Sequence, residues 1–172
     1  MVNVISNGKA TREILEVGSV DSAIFQEKTY TLSYDEEIQN EESLSIGIEN
    51  ESGIVPHFFF GELTHVEDVR LTIHTEIDSE VVAEELEPSN NYIGSDKESE
   101  TTCGIYESFN SSDTHQSVVF TGEDTEDVFD GYRVALSEGN NLVLDIENLS
   151  GNNECSVRLS WIEWDASEVD VI

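Results

Sequence analysis

Residues Tyr132–Asp165 read YRVALSEGNNLVLDIENLSGNNECSVRLSWIEWD, three alternating runs separated by two turn clusters. In the first run Tyr132, Val134 and Leu136 share a face, and Ser137–Asn141 (SEGNN) reverses the chain. In the second, Leu142, Leu144 and Ile146 point one way while Asp145 and Glu147 point the other. Ser150–Asn153 (SGNN) turns the chain again, and the third run sends Cys155, Val157, Leu159 and Trp161 inward with Arg158 and Ser160 outward. Period-two alternation between Gly/Asn turns is the pattern of antiparallel strands with one wet face, and the spacing predicts a three-stranded meander.

Working outward, the same alternation recurs along the chain. Ala23–Tyr34 is rich in Thr and aromatics and predicts a strand, followed by a polar loop over Asp35–Glu42. Leu44, Ile46 and Ile48 predict another, as do Val69, Leu71, Ile73, Thr75 and Ile77. Ile54–Leu63 (IVPHFFFGEL) has three consecutive phenylalanines, which puts a large ring on both faces. If Thr64 pairs with Val69 in a hairpin, Phe60 faces Ile73, Phe58 faces Thr75, and Phe59 faces His74 on the other side. Val81–Leu86 fits one helical turn or a short edge strand, and Gly94–Thr102 reads as a long exposed acidic loop. Gly104–Phe109 and Ser117–Thr121 add short strands around Asn110–Thr114. Residues 1–22 read as an arm or edge strand with a helical turn near Thr11–Glu16, residues 23–165 as the β-domain, and residues 166–172 as a tail. The sum is an all-β chain of about eight strands with very little helix, an antiparallel β-sandwich or single jelly-roll barrel.

At 172 residues the chain is one domain in size; such a chain buries roughly 68–70% of its unfolded surface. It carries 38 acidic against seven basic residues, a formal net charge of −31, and the acids run from Glu13 to Asp170 rather than forming a tail. In dilute buffer that surface repels itself. At about 1 M salt the Debye length falls to roughly 3 Å and the repulsion is screened. An all-over acidic chain with only Lys9, Lys28 and Lys97 as lysines reads as halophilic, bathed in K⁺ or Na⁺. No basic stripe exists to neutralise phosphates, which argues against direct nucleic-acid binding.

Sites of chemistry are sparse. Cys103 and Cys155 have no metal-ligand spacing and read as buried thiols. His57, His65, His74 and His115 lack HxH or HxxxH spacing, so packed or surface histidines are a plainer reading than a zinc site. Glu123, Asp124, Glu126, Asp127 and Asp130 crowd five carboxylates into eight residues, an oxygen-rich set that Ca²⁺ or Mg²⁺ could use. The spacing is not that of an EF-hand, and in so acidic a chain a solvated loop is the plainer reading. No nucleophile, phosphate-loop or zincin signature occurs, and the chain reads as non-enzymatic. There is no apolar run of signal-peptide or membrane-span length. The sequons at Asn50, Asn110 and Asn148 are no more than chance supplies. Trp161 continues the core face, whereas Trp164, three positions on, is expected to point outward.

The segment Gly131–Asp165 is similar to the closing strands of many viral and carbohydrate-binding β-sandwiches. With its size, strand pattern and acidity, the chain resembles the smaller single-jelly-roll major capsid proteins of haloarchaeal icosahedral viruses with an internal membrane, the sphaerolipovirus type. The resemblance implies a vertical barrel in the virion shell, made in the host cytoplasm, that assembles with copies of itself and a larger β-barrel partner above a lipid vesicle. Contacts are then expected at Phe58, Phe59, Phe60, Trp164 and Arg158, the outward or aromatic anchors. Two rival readings are a haloarchaeal carbohydrate-binding or adhesive module stacking sugars on Trp164, and an acidic hydrolase with a His/carboxylate metal site.

Overall fold

The alternating runs at Leu44–Ile48, Val69–Ile77, Leu142–Ile146 and Cys155–Trp161 are all strand in the computed structural model, which describes residues 2–6, 9–13, 15–16, 27–50, 53–168 and 170–171. In chain order the strands are β1 (Val2–Ser6), β2 (Lys9–Glu13), β3 (Leu15–Glu16), β4 (Thr29–Ile38), β5 (Ser43–Asn50), β6 (Ile54–His65) and β7 (Val69–Leu86). They continue with β8 (Ser89–Asn90), β9 (Thr102–Phe120), β10 (Asp124–Asp127), β11 (Arg133–Leu136), β12 (Asn140–Asn148), β13 (Asn153–Asp165) and β14 (Asp170–Val171). The helix among the described residues is one 3-10 turn, Ala166–Glu168.

Eight of these strands form the frame, and their pairing is nested. The first pairs with the last, β4 with β13, aligning Leu32 with Leu159. The second pairs with the seventh, β5 with β12, aligning Ile46 with Leu144. The third pairs with the sixth, β6 with β11, and the fourth with the fifth, β7 with β9. Further pairings of β13 with β6 and β12 with β7 gather them into two antiparallel sheets, β4-β13-β6-β11 and β5-β12-β7-β9. A long hairpin of four paired strands rolled into two packed sheets is the jelly-roll wrap. β1 extends the first sheet by pairing in parallel with β11, and β2 pairs antiparallel with β1.

The β7–β9 ribbon bends. Its register shifts at Ile73/His74, Ile77/Ser79, Val81/Val82 and Val82/Glu84, and Glu76 adopts a positive φ of 53°. Bulges of this kind kink a strand and increase its twist. Here they bring the start of β9 beside β5, where Ile46 pairs with Ile105 and closes the second sheet on itself.

The alternating faces occur as expected, but two pairings do not. The three runs of Tyr132–Asp165 are not a meander: β11 and β13 lie in the first sheet, β12 in the second. β6 and β7 are likewise no hairpin, since they belong to different sheets, so Phe58, Phe59 and Phe60 do not face Thr75, His74 and Ile73. Alternation reports that a strand has one dry face, and both walls of a sandwich satisfy it. The Gly/Asn turns are crossovers from one sheet to the other, and buried asparagines tie them down. Asn148 Nδ2 donates to the carbonyls of Ile38 at 2.9 Å and Gly151 at 2.7 Å. Asn153 Oδ1 accepts from the N–H groups of Val66 and Glu67, and Asn50 Nδ2 donates to the carbonyls of Ile54 and Leu136. Two of the three sequon asparagines, Asn50 and Asn148, are therefore internal fasteners.

Smaller departures follow from the same pairing. β4 runs on to Ile38 through the expected polar loop; the expected strand start at residues 23–26 lies outside the described residues. Asn110–Thr114 is strand within β9, Val81–Leu86 is strand within β7, and the expected helical turn near Thr11–Glu16 falls on β2 and β3.

Between the sheets, Leu32, Leu63, Leu159 and Trp161 meet Leu44, Ile46, Leu71, Ile73, Leu142, Leu144 and Ile146. Trp161 stacks on Tyr30 with centroids 6.2 Å apart and leans on Phe58 at 5.4 Å. Each such large apolar side chain contributes about 1.5–3 kcal/mol by its burial.

Candidate interaction surface

The three phenylalanines divide at a bulge. Across the β6–β13 ladder Phe58 pairs with Trp161 and Phe60 with Ser160, so Phe59 has no partner of its own. An extra residue in one strand breaks the in-out alternation. Phe58 is fully buried in the core, while Phe59 and Phe60 both line a cleft on the outer face of the sheet. Phe58 is thus a core residue and not a contact residue. Gly61 follows because Val128 and Phe129 press on the strand there: a Cβ on Gly61 would lie 2.7 Å from the Phe129 ring.

Arg158 is exposed on the same outer face, beside Phe60. Its guanidinium carbon sits 5.7 Å from the Phe60 ring centroid, and Glu62 is its neighbour across the ladder. A guanidinium over an aromatic face gains a cation–π attraction. The cleft, about 360 Å³, continues from Phe59 and Phe60 to Tyr132 and to Arg133 at the start of β11, with Glu62, Glu126 and Asp127 on its walls. Phe60 and Tyr132 are 36% and 38% exposed. Arg133 in its lining and Arg158 beside it over Phe60 are two of the chain's seven basic residues, against three carboxylates in the lining. Aromatics and arginine are the side chains that carry most binding energy in protein interfaces.

Trp164 is not part of this surface. It is 6% exposed, and the Lys28 ammonium lies 5.4 Å from its ring centroid. The β4–β13 ladder continues one rung to Lys28, with Glu163 N–H donating to the Lys28 carbonyl at 2.8 Å, which brings the Lys28 side chain over the ring. The sugar platform expected at Trp164 is therefore not present.

Glu123–Asp130 is partly strand. β10 pairs with β6, setting Asp124 opposite His65 and Asp127 opposite Glu62. Strand alternation sends Asp124 and Glu126 to one side and Thr125 and Asp127 to the other. Asp127 closes its own turn, accepting from the N–H groups of Phe129 and Gly131, both at 2.9 Å, and Asp124 accepts from Thr125 N–H at 2.8 Å. Glu123 and Asp130 are exposed. Among the described residues no three His, Cys, Asp or Glu side chains converge as a ligand set.

The histidines are dispersed. His57 is buried, with no hydrogen-bond partner on either ring nitrogen, and burial together with the nearby Arg133 pushes its pKa down to about 4. His65 stacks on Phe120 and bonds the Glu67 carbonyl at 2.9 Å, while His74 meets Phe109 edge-on at 5.0 Å. Burial lowers the pKa of His115. Both cysteines are free and buried; burial drives Cys103 up to about 12 and Cys155 up to about 11, which keeps them protonated and poorly nucleophilic. A second, larger cleft of about 520 Å³ lies between the outer half of β7 and the start of β9, where the Tyr106 hydroxyl donates to Glu49.

The sequence brought Phe60 and Arg158 forward, and the structure seats them together; Tyr132, Arg133 and the bulge were missed. A Gly directly after consecutive aromatics was the one available signal of the bulge. No helix among the described residues is long and apolar enough to cross a membrane. Comparison with protein-family models, curated proteins and solved structures finds no match for this chain.

Proposed function

We propose that this chain is a structural subunit of a halophilic virus, a capsid protein that builds the shell with copies of itself and a larger β-barrel partner around an internal membrane. The observation that carries this reading is the nested pairing of eight strands, β4 with β13 through β7 with β9, in a uniformly acidic chain. Viral shells are a recurrent use of the jelly-roll wrap, because two compact sheets leave loops at both ends free to vary. The cleft lined by Phe60, Tyr132 and Arg133, with Arg158 alongside, adds support, being the kind of small aromatic patch that leaves a subunit soluble before assembly. Strong like charge makes assembly depend on salt, since copies approach only when their fields are screened.

Mass spectrometry of purified virions from a virus carrying this gene tests the reading. The expected result is this chain in stoichiometric amounts beside a second acidic β-protein. Particles that lack it while infected cells contain it would overturn the proposal.

A further inference from the structure

The larger cleft, about 520 Å³, opens where β7 and β9 close against β5. Two glycines shape its floor. Gly47 and Gly104 align across the β5–β9 ladder, and the Tyr106 ring lies over Gly47. A Cβ on Gly104 would stand 3.0 Å from Val82 Cγ1 and 3.8 Å from the Tyr106 ring, so the missing side chain keeps the floor between them open. Leu86 and Pro88 extend the apolar surface. One wall is the loop that Glu163 holds through Ser99, Glu100 and Thr101. Tyr30 steadies the same wall, its hydroxyl donating to the Glu98 carbonyl at 3.0 Å. The cleft is therefore preformed.

Glu49, Glu85, Glu87 and Glu98 line this cleft and no basic side chain does; Lys97, next to Glu98 in sequence, is outside the lining. The acids stand on both sides of β9. Glu49 of β5 pairs with Thr102 and Glu85 of β7 with Gly104, two residues on, so both acids share a face. Two strand spacings of about 4.8 Å lie between their strands. Among the described residues no three His, Cys, Asp or Glu side chains converge, so the acids do not form the oxygen cage that a divalent ion requires. Thr101 belongs to the same lining, is 1% exposed, and its hydroxyl has no hydrogen-bond partner. From the divided acids, the apolar floor and the unpartnered Thr101 hydroxyl, we infer that this cleft binds an alkyl diamine. Its ammonium ends meet the acids on either side of β9, and its methylene stem lies on Val82 and the Tyr106 ring, as lysine stems lie on apolar surface. An ammonium N–H supplies the donor that the Thr101 hydroxyl oxygen lacks. Charge alone draws cations to the whole acidic surface; the apolar floor is what separates a diamine from K⁺. This inference goes beyond the shell reading and does not depend on it.

Methyl-detected NMR of the full chain, titrated with 1,5-diaminopentane in about 1 M KCl, provides the test; that salt screens binding to exposed charge alone. Saturable shifts are expected at the Val82 and Leu86 methyls, with none at the exposed Val66 and Val119. Glu85→Gln together with Glu87→Gln should weaken binding about tenfold, the loss of two partly screened charge pairs. Both residues are exposed, so the fold is kept, and the equally exposed pair Glu36→Gln and Glu37→Gln should leave the affinity unchanged. Thr101→Val should weaken binding without lowering the melting temperature, because the hydroxyl it removes is unpaired. Shifts that do not saturate, or that spread to Val66 and Val119, would overturn the site. Equal weakening by the Glu36 and Glu37 variant would do the same. Pentan-1-ol binding as tightly would overturn the need for a cation, and tetramethylammonium binding as tightly would overturn the need for a stem.

Discussion

Glu163 accepts the backbone N–H of Thr101 at 3.0 Å across 62 positions of sequence. The same carboxylate, 4% exposed, also accepts from the Glu100 N–H at 3.1 Å, the Trp161 indole N–H at 3.2 Å and the Ser99 hydroxyl. One buried acid in β13 thus fastens the acidic loop that runs from the Ile93 turn into β9.

Removing that fastener should loosen the loop before it unfolds the barrel. Glu163→Ala takes the acceptor from the indole and the Glu100 N–H and leaves Thr101 N–H only Ser99 Oγ at 3.1 Å, a loss of about 2–4 kcal/mol. Urea melts measure the loss. Hydrogen exchange should accelerate at Glu100 and Thr101 more than at Leu144 or Leu159, and unchanged protection at Glu100 and Thr101 would refute the fastening role.

Gly47 lies directly beneath the Tyr106 ring: a Cβ there would stand 1.9 Å from the ring's Cζ. Gly47→Ala must push the ring out and break its hydroxyl bond to Glu49. We expect a cost of about 2–3 kcal/mol, as for overpacked cores. In the background of Tyr106→Ala the same substitution should be nearly neutral, so a double-mutant cycle by denaturation reads the coupling directly. Strict additivity would contradict the contact.

His57 makes stability depend on acid. Its folded pKa, about 4, lies below the ordinary 6.5. Between those values the unfolded chain binds the extra proton, so stability rises with pH across this window. It is fully present above about 6.5 and is lost as pH falls through about 4. The whole effect is on the order of 3 kcal/mol. His57→Leu should flatten the slope of stability between pH 6.5 and 4 relative to wild type, measured by urea melts in molar salt. Parallel slopes would mean that the imidazole is hydrated.

Net charge predicts a steep response to salt. With −31 charges and Arg70–Glu147 as an ion pair on the surface, repulsion outweighs attraction in dilute buffer. Raising KCl from about 0.1 M to about 1 M shortens the Debye length from roughly 10 Å to 3 Å. The melting temperature should climb over that range and then level off. A flat profile would separate the acidity from stability.

Alternation along the sequence already settles which residues turn inward. Leu142, Leu144 and Ile146, and Cys155 through Trp161 at every second position, are buried as their alternation requires, because a strand's side chains must alternate. Composition likewise settles the acidity and the absence of a basic stripe. What pairs with what was decided only in three dimensions. Backbone hydrogen bonds carry no residue identity, so a Gly/Asn turn reads alike whether it joins neighbours in one sheet or crosses between two. The bulge at Phe59 needed the β13 ladder to define it, and the cover on Trp164 includes the Lys28 side chain that the β4–β13 pairing brings beside it. The cleft beside Phe60 is assembled from β6, β10 and β11, segments whose proximity follows from the nested pairing of the whole chain rather than from any local run.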